Sequence, residues 1–174
     1  MRRMTIPTLT SERLILRAFR DKDLDGYARS CDDDEVMRFL GGKLSREDAW
    51  RQMAMLLGHW QLRGYGMWAL EERSTGAFVG RCGFHRPDGW PGLEIGWMVL
   101  REYWGMSFAY EAARTALDYG FGGLGFEYVI SLIHPENARS IRLAERLGER
   151  PSGRALVRGY DVLVYRLERG ARAA

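Results

Sequence analysis

The sequence predicts an α/β (α+β) domain built on a mixed sheet covered by helices. Three observations predict it. Apolar residues recur at helical spacing from Leu24 to Trp60 and then change to strand-like runs from Met67 to Leu100. Beyond that point helix and strand signals alternate, the order expected of a sheet with helices packed on it. The length, 174 residues, suits one domain over 1-174 with a sizeable core.

The elements follow in order. Arg13–Leu14–Ile15–Leu16–Arg17–Ala18 alternates and reads as the first strand. Asp21 is placed as the N-cap of a helix with Leu24, Tyr27, Ala28 and Cys31 on one face. The acidic run Asp32–Asp33–Asp34–Glu35 suits the positive end of a short second helix, which Gly41–Gly42 ends. Ser45–Arg46–Glu47–Asp48 resembles a capping box, and Ala49, Met53, Leu56 and Trp60 form the core face of the helix behind it. Met67–Glu71, Ala77–Phe84 and Leu93–Leu100 read as strands. Ser74–Thr75–Gly76 turns between the first two, and Pro87–Asp88–Gly89 opens the loop between the next. Such short connections make an antiparallel meander. Ala109, Ala112, Ala113, Ala116, Leu117, Gly120 and Phe121 then put small residues on one face of a long helix, suited to close packing on a sheet. Gly122–Gly123–Leu124–Gly125 ends it. Glu127–Ile133 is an apolar strand buried on both faces. A helix from about Asn137 to Leu147, closed by Gly148, leads to a last strand, Tyr160–Glu168, paired with a shorter piece around Leu156.

Composition excludes several classes. The net charge is +3, with part of the basic excess in the tail Arg166–Arg172. That is compatible with an anionic ligand and argues for no nucleic acid. No apolar run is long enough to span a membrane, and no apolar signal core follows the basic start Met1–Arg2–Arg3. Cys31 and Cys82 sit among apolar neighbours as small core residues and build no disulfide framework. His59, His85 and His134 share no ligand spacing with one another or with the cysteines, so no metal is expected. The cytoplasm is the expected compartment.

The most informative stretch runs from Met98 to Ala112. A strand enters a tight loop of small residues, and the loop enters a helix. The first amides of a helix lack partners and stand at the positive end of its dipole. A small-residue loop lets a phosphate approach them. An anion site is therefore proposed over Gly105–Ala109, although a glycine before a helix is common and the pattern alone also fits an ordinary strand–helix turn. Neither G-x-x-x-x-G-K-[ST] nor a strand-following G-x-G-x-x-G is present.

Tyr103–Trp104–Gly105–Met106–Ser107–Phe108–Ala109–Tyr110–Glu111–Ala112 resembles the coenzyme A loop of GNAT acetyltransferases. It is nearest the branch that includes the ribosomal-protein N-terminal acetyltransferases RimJ and RimL. His134–Pro135–Glu136–Asn137–Ala138–Arg139–Ser140 and the helix to Gly148 resemble that branch's second motif, as do Thr10–Arg17 and Glu35–Gly41 in their places. The likeness runs from about Leu9 to Glu168. It implies a GNAT-type mixed, mostly antiparallel central sheet flanked by helices, and acetyl-CoA as cosubstrate. It implies that the backbone of Met98, Val99 and Leu100 holds the pantetheine arm. The amides of Gly105, Met106, Ser107, Phe108 and Ala109 would hold the pyrophosphate, with the side chains of Asn137 and Ser140 facing the pantetheine. Asn137 also reads as a plain N-cap and Ser140 as a solvent-facing helix residue. Three positions depart from the family pattern: Ser107 replaces Gly or Ala, Glu102 replaces Gln or Arg, and Ala144 replaces the Tyr that protonates the leaving thiolate in many members. The acid is left to Ser140 or water.

An ammonium must lose a proton before it attacks a thioester. Glu94, a carboxylate within an alternating apolar strand with Gly96 beside it, is the candidate base. The same residue reads equally as a solvated edge-strand carboxylate. His85 is the second candidate because imidazole titrates near neutrality; His59 and His134 read as structural. The implied reaction joins acetyl-CoA and a small-molecule or peptide amine in a ternary complex. A GNAT-like module that holds CoA and catalyses nothing is the alternative. The aromatic segment Trp60–Trp68 and the loop His85–Gly92, with Trp90, would shape the acceptor pocket. A protein N-terminus, an amino acid, a polyamine and an aminoglycoside all remain open as acceptors, as does a homodimer.

Overall fold

The computed structural model describes residues 5–171; Met1–Met4, at the basic start, and Arg172–Ala174, at the end of the tail, lie outside them. Eight strands form one sheet: β1 (Leu9–Thr10), β2 (Leu14–Arg17), β3 (Met67–Glu72), β4 (Phe78–His85), β5 (Glu94–Val99), β6 (Tyr128–Ile133), β7 (Arg150–Val157) and β8 (Tyr160–Glu168). Their spatial order is β1-β2-β3-β4-β5-β6-β8-β7. Every neighbouring pair is antiparallel except β5–β6. Five helices join them: α1 (Leu24–Cys31), α2 (Asp34–Met37), α3 (Arg46–Arg63), α4 (Phe108–Gly122) and α5 (Ala138–Leu147).

The expected meander is present as β3–β4–β5, and the last two strands pair as expected, with β7 longer than the piece around Leu156. Strand β1 had no signal in the sequence, because a two-residue strand is too short to show alternation. The N-cap at Asp21 is corrected. Asp21–Asp23 is a 3-10 turn, and Asp23 is the residue whose carboxylate accepts the Arg20 amide, at 2.7 Å. Asp23 also grips buried Arg17 at 2.7 and 2.8 Å, and the exposed Asp21 has no such cation among the described residues. The Ser45 cap forms as read, and within the acidic run Asp33 is the residue that caps α2. Asp33 accepts the amides of Glu35 and Val36, and Ser45 Oγ accepts that of Asp48.

Two layers of helix sandwich the sheet. Helix α4 buries Phe108, Ala112, Ala113, Ala116, Leu117, Gly120 and Phe121 against it. A Cβ at Gly120 would stand 2.5 Å from Phe84 Cζ, so only glycine lets the helix approach β4 there. Glu111 fixes the helix's angle by accepting from Ser11 Oγ, the Arg13 amide and Arg13 Nε, each at 2.7 Å. On the opposite side α1 and α3 bury Tyr27, Cys31, Met53 and Leu56. Trp60 and Trp68 belong to the interior, at 1% and 0% exposure, packed edge to face. The expectation that this aromatic segment shapes an acceptor pocket is thereby corrected for both tryptophans; from the segment, Met67 reaches the pocket described below. Both cysteines are buried and free.

Candidate active site

Strands β5 and β6 run parallel, with a single register pair, Glu94 opposite Ile130. The Ile130 amide donates to Leu93 O at 2.9 Å. One residue pair further on, the bridge between the strands is the Ser131 hydroxyl on Ile95 O, at 3.0 Å. The backbone groups of Trp97 and Val99 then face the gap. Alternation along a strand sends the groups of Leu93, Ile95, Trp97 and Val99 to this side and those of Met98 and Leu100 to β4. The Leu100 amide accordingly donates to Val79 O. This corrects the sequence reading: Met98 and Leu100 have no free backbone to offer an arm in the gap. Val99 does, through its amide, since its carbonyl accepts Trp104 Nε1 at 2.9 Å. Trp97 is the residue that reading missed, and counting alternate residues from Leu93 would have found it.

Two cavities open along the gap. The first, about 490 Å³, is walled by Met98 and Val99, by Gly105, Ser107, Phe108 and Ala109, and by Asn137, Ser140, Arg142 and Arg146 of the α5 region. Leu100 and Met106 stand outside its wall, Met106 with its side chain in solvent. Helix α4 begins here without a side-chain cap. Gly105 (φ 80°) and Ser107 (φ 61°) both take left-handed backbone. Such a turn leaves the first-turn amides of α4 as orphan donors at the positive end of the helix. Arg146 stacks on Tyr110 at 3.8 Å and donates to Ser107 Oγ, and Arg139 stacks on Trp104 at 3.7 Å. Donors, dipole and cations thus converge on one end, while the open backbone of β5 lines the rest. That set fits a coenzyme A pyrophosphate and its amide-bearing arm.

The second cavity, about 290 Å³, shares Arg38, Phe39, Leu40, Trp97, Asn137 and Ser140 with the first. Glu94 lies in its wall, half-buried, with Oε2 accepting Trp90 Nε1 at 2.7 Å. It is no edge-strand carboxylate: β5 is internal to the sheet. Burial pushes its pKa up to about 7, against the Trp90 bond and the charge of Arg81. Gly96 keeps the floor clear, since a Cβ there would meet Met67 Cε at 3.0 Å and Glu94 Oε1 at 3.7 Å. His85 pairs with Glu94 across β4–β5. Burial, then His59, Arg81 and Arg158, hold His85 down to about 4, so it is neutral at physiological pH. His59 is structural: its Nδ1 donates to Tyr65 O and its Nε2 accepts the Arg86 amide. His134, read as structural, accepts the Glu136 amide at Nδ1 and also lies in the pocket wall, stacked on Phe39 at 4.9 Å.

Asn137 caps α5, accepting the Ser140 amide at 3.2 Å, and lines both cavities at once. The cap and ligand roles are compatible, because only Oδ1 is used. Ser140 is half-buried rather than solvent-facing, and its Oγ accepts Trp97 Nε1 at 3.2 Å. Among the described residues, no group of His, Cys, Asp and Glu is placed to hold a metal, and no helix is long and apolar enough to cross a membrane.

The acetyltransferase (GNAT) domain family matches residues 13–150, a span that takes in the gap, the uncapped helix start and Glu94. The chain belongs to this family, whose members use acetyl-CoA. It is 35% identical over 148 residues to the Bacillus subtilis protein YkkB, over 80% of this chain and 83% of that one. It is 31% identical to the N-acetyltransferase p20 of Bacillus licheniformis, over 88% and 87% of the two chains. A solved acetyltransferase structure from Agrobacterium tumefaciens is similar with a TM-score of 0.86 at 28% identity, over 97% and 98% of the chains.

Proposed function

We propose that this chain transfers the acetyl group of acetyl-CoA to a primary amine by direct attack in a ternary complex. The observation that carries the reading is the pair of cavities joined at Trp97, Asn137 and Ser140, one ending at uncapped amides and cations, the other at Glu94. The amides of α4 and of Trp97 and Val99 hold the coenzyme, and the bound thioester supplies an activated acyl carbon. Glu94, directly or through a water, takes one proton from the ammonium. The freed nitrogen pair forms the C–N bond as the C–S bond breaks. A carboxylate with a pKa near the operating pH suits that work, and His85 at about 4 is the weaker base. The acetylated nitrogen sheds its second proton, and Ser140 is the group we assign to relay it to the thiolate, which leaves as CoA–SH with the serine hydroxyl restored. Trp97 occupies one of its lone pairs and leaves its O–H free to donate.

The test is CoA release from acetyl-CoA over a panel of amines and peptides, run beside calorimetry of CoA binding. Turnover with at least one amine and binding in the micromolar range are expected. Binding without turnover on any amine would identify a CoA-holding module instead.

A further inference from the structure

Three arginines face the second cavity: Arg81 and Arg158, which line it alone, and Arg38, which borders the first cavity as well; the carboxyl among its lining residues is Glu94. Elsewhere the buried or bridging arginines are matched, as Arg17 is to Asp23 and Glu71. These three form no ion pair among the described residues. Arg38 rests on Phe39 at 5.3 Å, Arg158 on Trp90 at 5.3 Å, and Arg81 approaches Met67 Sδ at 3.8 Å. The Arg81 Nε and the His85 Nδ1 are buried without a hydrogen-bond partner, and His85 is only 9% exposed. Arg38 and Arg158 are exposed and Arg81 is half-buried, hydrogen-bonded to Tyr27 but with its Nε out of water. A buried guanidinium N–H without an acceptor is costly, and beside a second cation at a binding pocket it marks where an anion completes the site.

The sheet register places these groups. Arg81, Gly83 and His85 of β4 stand opposite Met98, Gly96 and Glu94 of β5, so Arg81 and Glu94 share one face with two glycines between them. The charges of Arg81 and Arg158 are felt at both Glu94 and His85. Arg158 sits in the β7–β8 turn at φ 49°, a left-handed position that only the turn's geometry imposes. The coenzyme cavity has cations of its own in Arg139, Arg142 and Arg146, and Arg81 and Arg158 line only the second. Their anion therefore belongs to the acceptor.

We propose that the acceptor is a small primary amine bearing a carboxylate, of the free amino-acid class, with the carboxylate on Arg81 and Arg158 and the amine at Glu94. The proposal rests on the acetyltransferase reading above. Polyamines and aminoglycosides are disfavoured, because they bring further positive charge to three guanidiniums. A peptide N-terminus is disfavoured too, because its first carboxyl has become a neutral amide and leaves the guanidiniums unpaired. Planar, forked donors suit a carboxylate in particular.

Matched probes decide it. Leucine, methionine and phenylalanine are each compared with their carboxamides and their decarboxylated amines, with spermidine and a short peptide alongside. Each free amino acid should exceed its amide in kcat/KM by about 10–100-fold, the worth of one charge-assisted hydrogen bond or a little more. That ratio should fall at least about tenfold in Arg81→Met, through KM, and fall less in Arg81→Lys. Arg158→Gly should lower it as well and cannot unfold the turn, since glycine accepts positive φ without strain. Equal use of acids and amides, or ratios untouched by these variants, overturns the proposal while the acetyltransferase reading stands. Calorimetric binding of the amino acids with no acetylation overturns the enzyme reading and keeps the carboxylate site. Neither binding nor turnover with any probe overturns both.

Discussion

Glu94 and Glu149 are carboxyls withdrawn from water, and Glu149 feels the charge of Glu94. Glu149 is fully buried. Its Oε2 has no partner, and its Oε1 lies 3.0 Å from Ser131 Oγ. That hydroxyl also lies 3.0 Å from Ile95 O. One hydroxyl proton cannot serve two acceptors, and the conflict resolves if Glu149 is protonated and donates to Ser131. Burial agrees, pushing Glu149 up to about 8. The folded protein then binds more protons than the unfolded one between about pH 4.5 and about pH 8, so stability falls as pH rises through that window. Glu149→Gln removes the ionisation. Its melting temperature should exceed the parent's by an amount that grows from pH 5 to pH 8, at roughly 2–4 °C per kcal/mol. A difference that stays flat with pH would refute the protonated state. Glu94→Gln addresses the base. It should lower kcat by at least about tenfold, within the ~10²–10⁴-fold range of general base catalysis, and leave CoA affinity intact. The parent's kcat/KM should rise through an apparent pKa near 7 that is missing in the variant. If His85→Ala abolishes the rate while Glu94→Gln keeps it, the base has been misassigned.

At the scale of elements, the start of α4 carries the coenzyme argument. Ser107 at φ 61° costs backbone strain that glycine would not incur, about 1–2 kcal/mol. Its hydroxyl caps nothing in α4, and meets only Arg146 at 3.3 Å on the surface. If the amide rather than the hydroxyl meets phosphate, Ser107→Gly should raise the melting temperature slightly and hold CoA affinity within about threefold. A tenfold loss would place the hydroxyl on the phosphate. The neighbouring elements were readable to different depths. The small-residue face of α4 was plain because a helix packed on a sheet leaves a periodic record. The splay of β5 from β6 was not, since both strands are apolar and a single register pair leaves no mark on either strand's composition. The Asn137 cap was readable; its position between two cavities was not.

For the whole molecule, the sequence by itself determined the order of the main strands and helices, the meander, the small-residue loop that enters α4 and the family. These rest on short-range chemistry: periodicity, caps, small residues at a helix entrance, and motifs read in a line. It also singled out Glu94, while leaving it between a working base and a solvated edge. Only the tertiary structure decided that β5 is internal, that Glu94 is half-buried beside Trp90, and that His85 is held neutral. It alone brought Arg38, Arg81 and Arg158 to one pocket from a loop, an inner strand and a distant turn, and moved Trp60 and Trp68 into the core. Burial and the charges around a group set its ionisation. Both depend on residues far away in the chain that meet only when the sheet forms, and no local pattern records which of them will meet.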